Sequence, residues 1–264
     1  MATDFGRTIR LIMRNLWIAV LLVCALGACK STELKRPSKK ERTEEVSRIK
    51  TQLSVEYMRA GDYRLAVTTI EEALQADHKN EIAWLMRAQI YQYLKVNDKA
   101  EESFREALRL KPDGAEINNN YGWFLCNYLN NPNAAIPYFD RALADPTYPA
   151  PQVAYMNKGI CSAKMGQYSL AQAYLERGLA SAPAFMPIRK ELARTKMLAG
   201  QIKEADQLFR QYQSQMEVLS ADDLLLGWQL SRASGNSQAA YEYEAQIRAN
   251  YPYSEELKII SAGH

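Results

Sequence analysis

The sequence predicts an all-α fold, a right-handed superhelical solenoid of about six helix-turn-helix repeats, and three observations carry that prediction. The first is composition. Apolar residues make up 47% of the 264 positions, enough for a sizeable core. Alanine, leucine, glutamate and tyrosine dominate and β-branched runs are scarce, which favours helix over strand. The second is the stretch Glu81–Gly114, EIAWLMRAQIYQYLKVNDKAEESFREALRLKPDG. Trp84, Ala88 and Tyr91 share one helical face there, Ala100, Phe104, Ala107 and Leu108 share the next, and Pro112 stops the second helix. The third is that the same spacing of small and large residues returns along almost the whole chain after residue 45. Two helices alone cannot bury their apolar faces, so such units must stack.

Taken in order, the chain opens on a leader. Arg7, Arg10 and Arg14 precede the apolar run LWIAVLLVCAL, Leu16 to Leu26, which is too short to span a bilayer comfortably and fits the hydrophobic region of a secretory signal. The run ends in Leu26-Gly27-Ala28-Cys29, which resembles a bacterial lipobox. The resemblance implies residues 1–28 as a lipoprotein signal peptide and Cys29 as the lipid-bearing N-terminus, with no cofactor beyond that covalent lipid. Three acyl chains bury far more CH₂ than the marginal single-chain case, at roughly 0.8 kcal/mol each. Position 30 is lysine, not the aspartate typical of inner-membrane retention, so the pattern implies the outer membrane, facing the periplasm. Met13 offers an alternative start. Lys30–Arg42, KSTELKRPSKKER, has six basic and two acidic residues and reads as a solvated tether, residues 29–44.

Residues 45–264 read as the solenoid. The Glu81–Gly114 unit resembles a tetratricopeptide (TPR) repeat in its 34-residue period and its aromatic/small/Phe/Pro pattern. With that unit as ruler, the first repeat starts near Ser47 and carries Tyr57, a Gly61-Asp62-Tyr63 turn, Ala66, Ile70 and Ala73, with His78 in the closing loop. The third runs from Ala115 to Pro151, with Tyr121-Gly122 and then Ala135, Phe139 and Ala142; its extra residue is expected in the turn Leu129–Asn133. Asn131-Pro132 supplies a cap and a first-turn proline, and Pro137 is expected to bend the helix locally. The fourth begins near Gln152, the fifth near Met186 and the sixth near Ala221, and Ser254–His264 is left as a partial cap.

Composition and motifs also exclude. A net charge of +3 is small for a nucleic-acid binder, and it resides in the leader and tether: beyond Lys50 there are 22 basic and 25 acidic side chains. Only His78 and His264 are histidines, which leaves little for a histidine-based metal site. No phosphate loop, G-x-S-x-G, H-E-x-x-H or Cys-x-x-Cys occurs, so no enzyme is expected. With Cys24 in the leader and Cys29 lipidated, Cys126 and Cys161 remain, both in first helices of neighbouring repeats. In an oxidising periplasm they are expected to form a disulfide; the alternative is two buried thiols. The least generic stretch is Asn118-Asn119-Asn120-Tyr121-Gly122-Trp123-Phe124-Leu125-Cys126, because asparagines are poor helix formers. Repeat register points Asn119, Trp123 and Asn127 into the concave groove lined by first helices, with Leu85, Gln89 and Tyr93 from the second repeat and Met156, Asn157 and Ile160 from the fourth. Amides there can pair with an extended peptide backbone; the alternative is that Trp123 is core and the asparagines are caps.

The NNNYGWFLC stretch, the ALADPTYPAP linker, Asn157-Lys158-Gly159-Ile160-Cys161 and the lipobox together resemble the PilW/PilF family of type IV pilus biogenesis lipoproteins. The resemblance implies a pilotin-like, lipid-anchored protein that promotes or stabilises multimers of the pilus secretin, and hence pili. The alternatives are a TPR scaffold of another envelope machine, such as outer-membrane protein assembly or a peptidoglycan hydrolase adaptor, or a purely structural stabiliser of the fibre.

Overall fold

In a computed structural model of the chain, residues 37–262 are described. The leader, Cys24, Cys29 and His264 lie outside them. The described residues contain thirteen α-helices and one π turn. They are α1 (Lys39–Arg59), α2 (Tyr63–Ala76), α3 (Glu81–Tyr93), α4 (Asn97–Leu110), α5 (Ala115–Trp123), the π turn Phe124–Tyr128, α6 (Pro132–Ala144), α7 (Pro151–Lys164), α8 (Tyr168–Ser181), α9 (Met186–Leu198), α10 (Ile202–Gln213), α11 (Ala221–Ala233), α12 (Ser237–Asn250) and α13 (Glu255–Ala262). From Thr43 onward the chain is one compact unit. Helices α1 to α12 form six antiparallel pairs, and consecutive pairs stack into the solenoid that the periodicity predicts. Helix α13 closes it: its Ile260 is fully buried against Leu224, Leu225 and Trp228 of α11.

Local chemistry sets most boundaries. Asp62, Asn80, Asn131 and Asn236 each accept a bond from the backbone N–H three residues on, and Ser220 with Asp223 forms a reciprocal capping box. Asn131 therefore caps α6 as expected, Pro132 sits in its first turn, and the helix continues through Pro137. Small residues let the pairs close. A Cβ added to Gly122 would lie 2.8 Å from Phe139, and one added to Gly159 would lie 2.7 Å from Leu175. The alanines Ala66, Ala100, Ala135, Ala171 and Ala205 occupy equivalent buried positions in successive second helices.

Three details differ from the sequence reading. Helix α1 starts at Lys39, inside the 29–44 segment assigned to the tether, and well before Ser47. The cause is a capping box: Ser38 N donates to Glu41 Oε2 at 2.6 Å and Glu41 N donates to Ser38 Oγ at 3.2 Å. The extra residue of the third repeat sits inside the first helix, not in the Leu129–Asn133 turn. It is taken up as a π turn in which Leu129 N reaches Phe124 O at 3.1 Å. The sequence pattern puts the turn of the second repeat around Val96–Asp98, but it is Leu94–Val96, since α4 already begins at Asn97.

Candidate groove of the first helices

Asn118, Asn119 and Asn120 lie inside α5, whose N-cap is Gly114, so none of them caps it. They are kept helical because each side chain finds a partner that lets the backbone ladder stand. Asn118 Nδ2 donates back to the carbonyls of Pro112 and Gly114, both at 2.9 Å. Asn120 Nδ2 donates to Glu116 O at 2.8 Å, and its Oδ1 accepts from Gln89 Nε2 of α3 at 3.0 Å. Asn119 Oδ1 accepts from Asn157 Nδ2 of α7 at 3.0 Å. The result is an amide ladder across the first helices of the second, third and fourth repeats. It uses one end of Gln89, Asn119 and Asn157. Gln89 Oε1, Asn119 Nδ2 and Asn157 Oδ1 have no partner among the described residues, an acceptor, a donor and an acceptor in succession.

The ladder borders an open depression of about 490 Å³. Its lining includes Gln89, Glu116, Asn119, Asn120, Tyr148 and Val153. Tyr148 comes from the DPTYPAP linker, which folds into a wall. Burial, with the nearby Glu116 carboxylate second, pushes the Tyr148 phenol up to about 12, so it stays a neutral donor at physiological pH. Asp145 turns the linker by accepting from the Thr147 hydroxyl at 2.7 Å and the Thr147 N–H at 2.8 Å, and these bonds hold its carboxyl below the usual range.

The other residues assigned to the groove divide. Leu85 is buried in the core of the first three repeats. Met156 is half-buried and packs on the Leu175, Ile188 and Leu192 cluster. Trp123 and Ile160 are half-buried and Asn127 is exposed. Asn127 Oδ1 accepts from Lys164 Nζ at 2.9 Å, and burial lowers the pKa of that ammonium. Tyr93 is exposed and bonds the Tyr63 hydroxyl at 2.8 Å, one repeat towards the N-terminus. Asn120, Glu116 and Tyr148 are the residues the sequence reading left out. Asn120 was part of the stretch it singled out, and Tyr148 was part of the linker.

Cys126 and Cys161 form a disulfide with Cα atoms 6.0 Å apart. It joins the π turn to α7, and so fixes the third repeat to the fourth immediately beside the Asn119–Asn157 bond. The π turn is what delivers Cys126 to that position.

The sequence profile of the tetratricopeptide repeat matches residues 51–115, 85–149 and 153–185. The crystal structure of PilW, a widely conserved type IV pilus biogenesis factor, is 68% identical, with a TM-score of 0.75 over 81% of this chain and 98% of that one. The solved structure of PilF from Pseudomonas aeruginosa is 25% identical, with a TM-score of 0.69 over 84% of this chain and 99% of that one. In sequence, the type IV pilus assembly protein PilF of Pseudomonas aeruginosa is 26% identical over 246 residues, 93% of this chain and 97% of the relative.

Proposed function

The chain belongs to the PilW family of tetratricopeptide-repeat type IV pilus biogenesis factors, and from that premise we propose that it is an outer-membrane lipoprotein adaptor that holds a segment of the pilus secretin in its first-helix groove. In this reading Cys29 carries the lipid and places the chain at the periplasmic leaflet. The groove captures an extended segment, and the pair is assembled into the secretin multimer. Binding supplies all the energy and no turnover is required. The observation that carries the reading is the amide ladder, whose three free amide groups repeat the acceptor–donor alternation of a peptide backbone. Concave solenoid faces are the usual binding surfaces of such folds. Gln89 is half-buried and Asn119 and Asn157 are buried, so a ligand backbone that reaches these amide atoms would supply hydrogen bonds that the fold leaves open.

The test is a blot of envelope fractions for SDS-resistant secretin multimer in a strain lacking this gene. The multimer is expected to disappear, to return with the wild-type chain, and to stay absent with Cys29→Ala. Asn119→Ala and Gln89→Ala are expected to reduce the multimer with the chain still folded. Normal multimers in the deletion strain would overturn the secretin reading.

A further inference from the structure

A second recess lies on the opposite set of helices. The second helices α4 and α6, over the floor provided by α5, enclose a cleft of about 370 Å³ lined by Arg105, Leu108, Arg109, Pro112, Tyr121, Tyr138 and Arg141. Its floor is formed by aromatic rings with Leu108 and Pro112 beside them. Tyr121 and Tyr138 meet edge to face with centroids 4.8 Å apart, and Tyr121 leans on Phe104 at 5.5 Å. Its rim carries three guanidinium groups. Arg141 lies 4.6 Å over the Tyr138 ring and makes no ion pair among the described residues. Arg105 pairs with Glu101 at 2.6 Å and also interacts with the Tyr121 hydroxyl, and Arg109 pairs with Glu106 at 2.9 Å, each acid one turn back on the same helix and both arginines more than half exposed. Such exposed pairs are worth at most about 1 kcal/mol, so either guanidinium can turn to a better partner.

We infer that this cleft binds an acidic segment of a partner polypeptide, seating a carboxylate on Arg109 and Arg141 and a neighbouring apolar side chain over Leu108, Pro112 and Tyr138. Guanidinium forks match carboxylates in a bidentate way and stack on aromatic faces, which Arg141 already does. Charge complementarity selects an acidic ligand and the apolar floor selects a peptide. A membrane surface of many phosphates would also meet Glu101 and Glu106, which flank the arginines on α4. A peptide presenting one or two carboxylates avoids them. The cleft holds one or two side chains, not a lipid headgroup array. Both sites use α5, but the cleft takes Tyr121 and the amide groove takes Glu116, Asn119 and Asn120, and the two share no lining residue.

The test is fluorescence anisotropy with the purified full-length chain and a short fluorescein-labelled peptide alternating glutamate and leucine. Saturable binding that weakens with salt is expected. Arg109→Glu with Arg141→Glu is expected to weaken it at least about tenfold, and the glutamine–leucine counterpart should not bind. Should the double variant lose its helical circular dichroism, Arg141→Gln alone serves, with a several-fold loss expected. Equal binding of the glutamine peptide, absence of saturable binding, or unchanged affinity in the variants would overturn the inference. So would arginine-dependent capture by phosphatidylglycerol vesicles without capture of the peptide.

Discussion

Asp223 is 3% exposed and yet held as a carboxylate. Burial alone would raise its pKa. Bonds from Lys190 Nζ at 2.9 Å, and from Ser220 N at 2.9 Å and Ser220 Oγ at 2.7 Å, outweigh burial and bring the pKa below the ordinary value. The Tyr212 hydroxyl donates to it as well, at 3.0 Å. Glu191, next to Lys190, goes the other way: burial raises its pKa and Arg194 only partly opposes this. The signs follow from linkage. Asp223 contributes stability that is present above its unfolded value of about 3.9 and lost as pH falls through its lower folded value. Glu191 takes stability away as pH rises from its unfolded value of about 4.3 through its higher folded value. Urea midpoints measured against pH are therefore expected to fall less steeply on the acid side in Asp223→Asn and to flatten above about pH 4.3 in Glu191→Gln. Lys190→Met strands a buried carboxylate and is expected to cost roughly 3 kcal/mol at neutral pH. The disulfide acts at the same scale. Cys126 and Cys161 are both fully buried and 35 residues apart. Replacing both by alanine is expected to lower unfolding free energy by about 2–4 kcal/mol, read as a lower urea midpoint, and a dithiol reductant should reproduce the loss in the wild-type chain.

Between the two helices of a repeat the chain must reverse through a left-handed residue. Gly61, Gly166, Gly200 and Gly235 do this with φ of 74–78°. The second and third repeats use Lys95 at φ 59° and Asn130 at φ 49°. A side chain in that region is strained by about 1–2 kcal/mol unless it is asparagine or aspartate, which bond locally. Lys95→Gly is therefore expected to stabilise the chain by about 0.5–1 kcal/mol in denaturant unfolding, after the entropy cost of glycine, and Asn130→Gly by less. This residue also explains what the sequence does and does not disclose. The four glycine turns mark their repeats unaided, whereas Lys95 carries no turn signal, and the turn of the second repeat was placed about two residues late. The π turn was invisible for a similar reason. A one-residue insertion is legible as a longer repeat, but whether loop or helix absorbs it depends on packing, here on Cys126 reaching Cys161. The start of α1 was legible in Ser38-Lys39-Lys40-Glu41 and was hidden by the charge run around it.

Across the repeats, buried apolar residues fall into separate clusters. One runs from Ala66 and Ile70 in α2 through Phe104 and Phe124 to Phe139 in α6, and ends at Cys161. Others join Leu175 to Ile188, Phe209 to Leu226, and Leu224 to Ile260. The number of repeats was legible because each must present the same small and large residues to its neighbours. The amide ladder was legible only as to face. Register pointed Gln89, Asn119 and Asn157 inward, but which amide pairs with which depends on the rise between repeats, and the linker's fold against them depends on Asp145 and Thr147. A solenoid's stability is approximately a sum of repeat and nearest-neighbour terms, so its ends open separately from its middle. Deleting the chain from Glu255 onward removes Ile260 and Leu257 from Leu224, Leu225 and Trp228. Fully burying one such side chain is worth about 1.5–3 kcal/mol, and that is lost at the C-terminal repeat alone. Hydrogen exchange by mass spectrometry is expected to accelerate in α11 and α12 of the truncated chain, with α2 to α6 unchanged behind the disulfide. Equal acceleration along the whole chain would mean that the clusters open as one cooperative unit, and that α13 supports the groove as well as its own repeat.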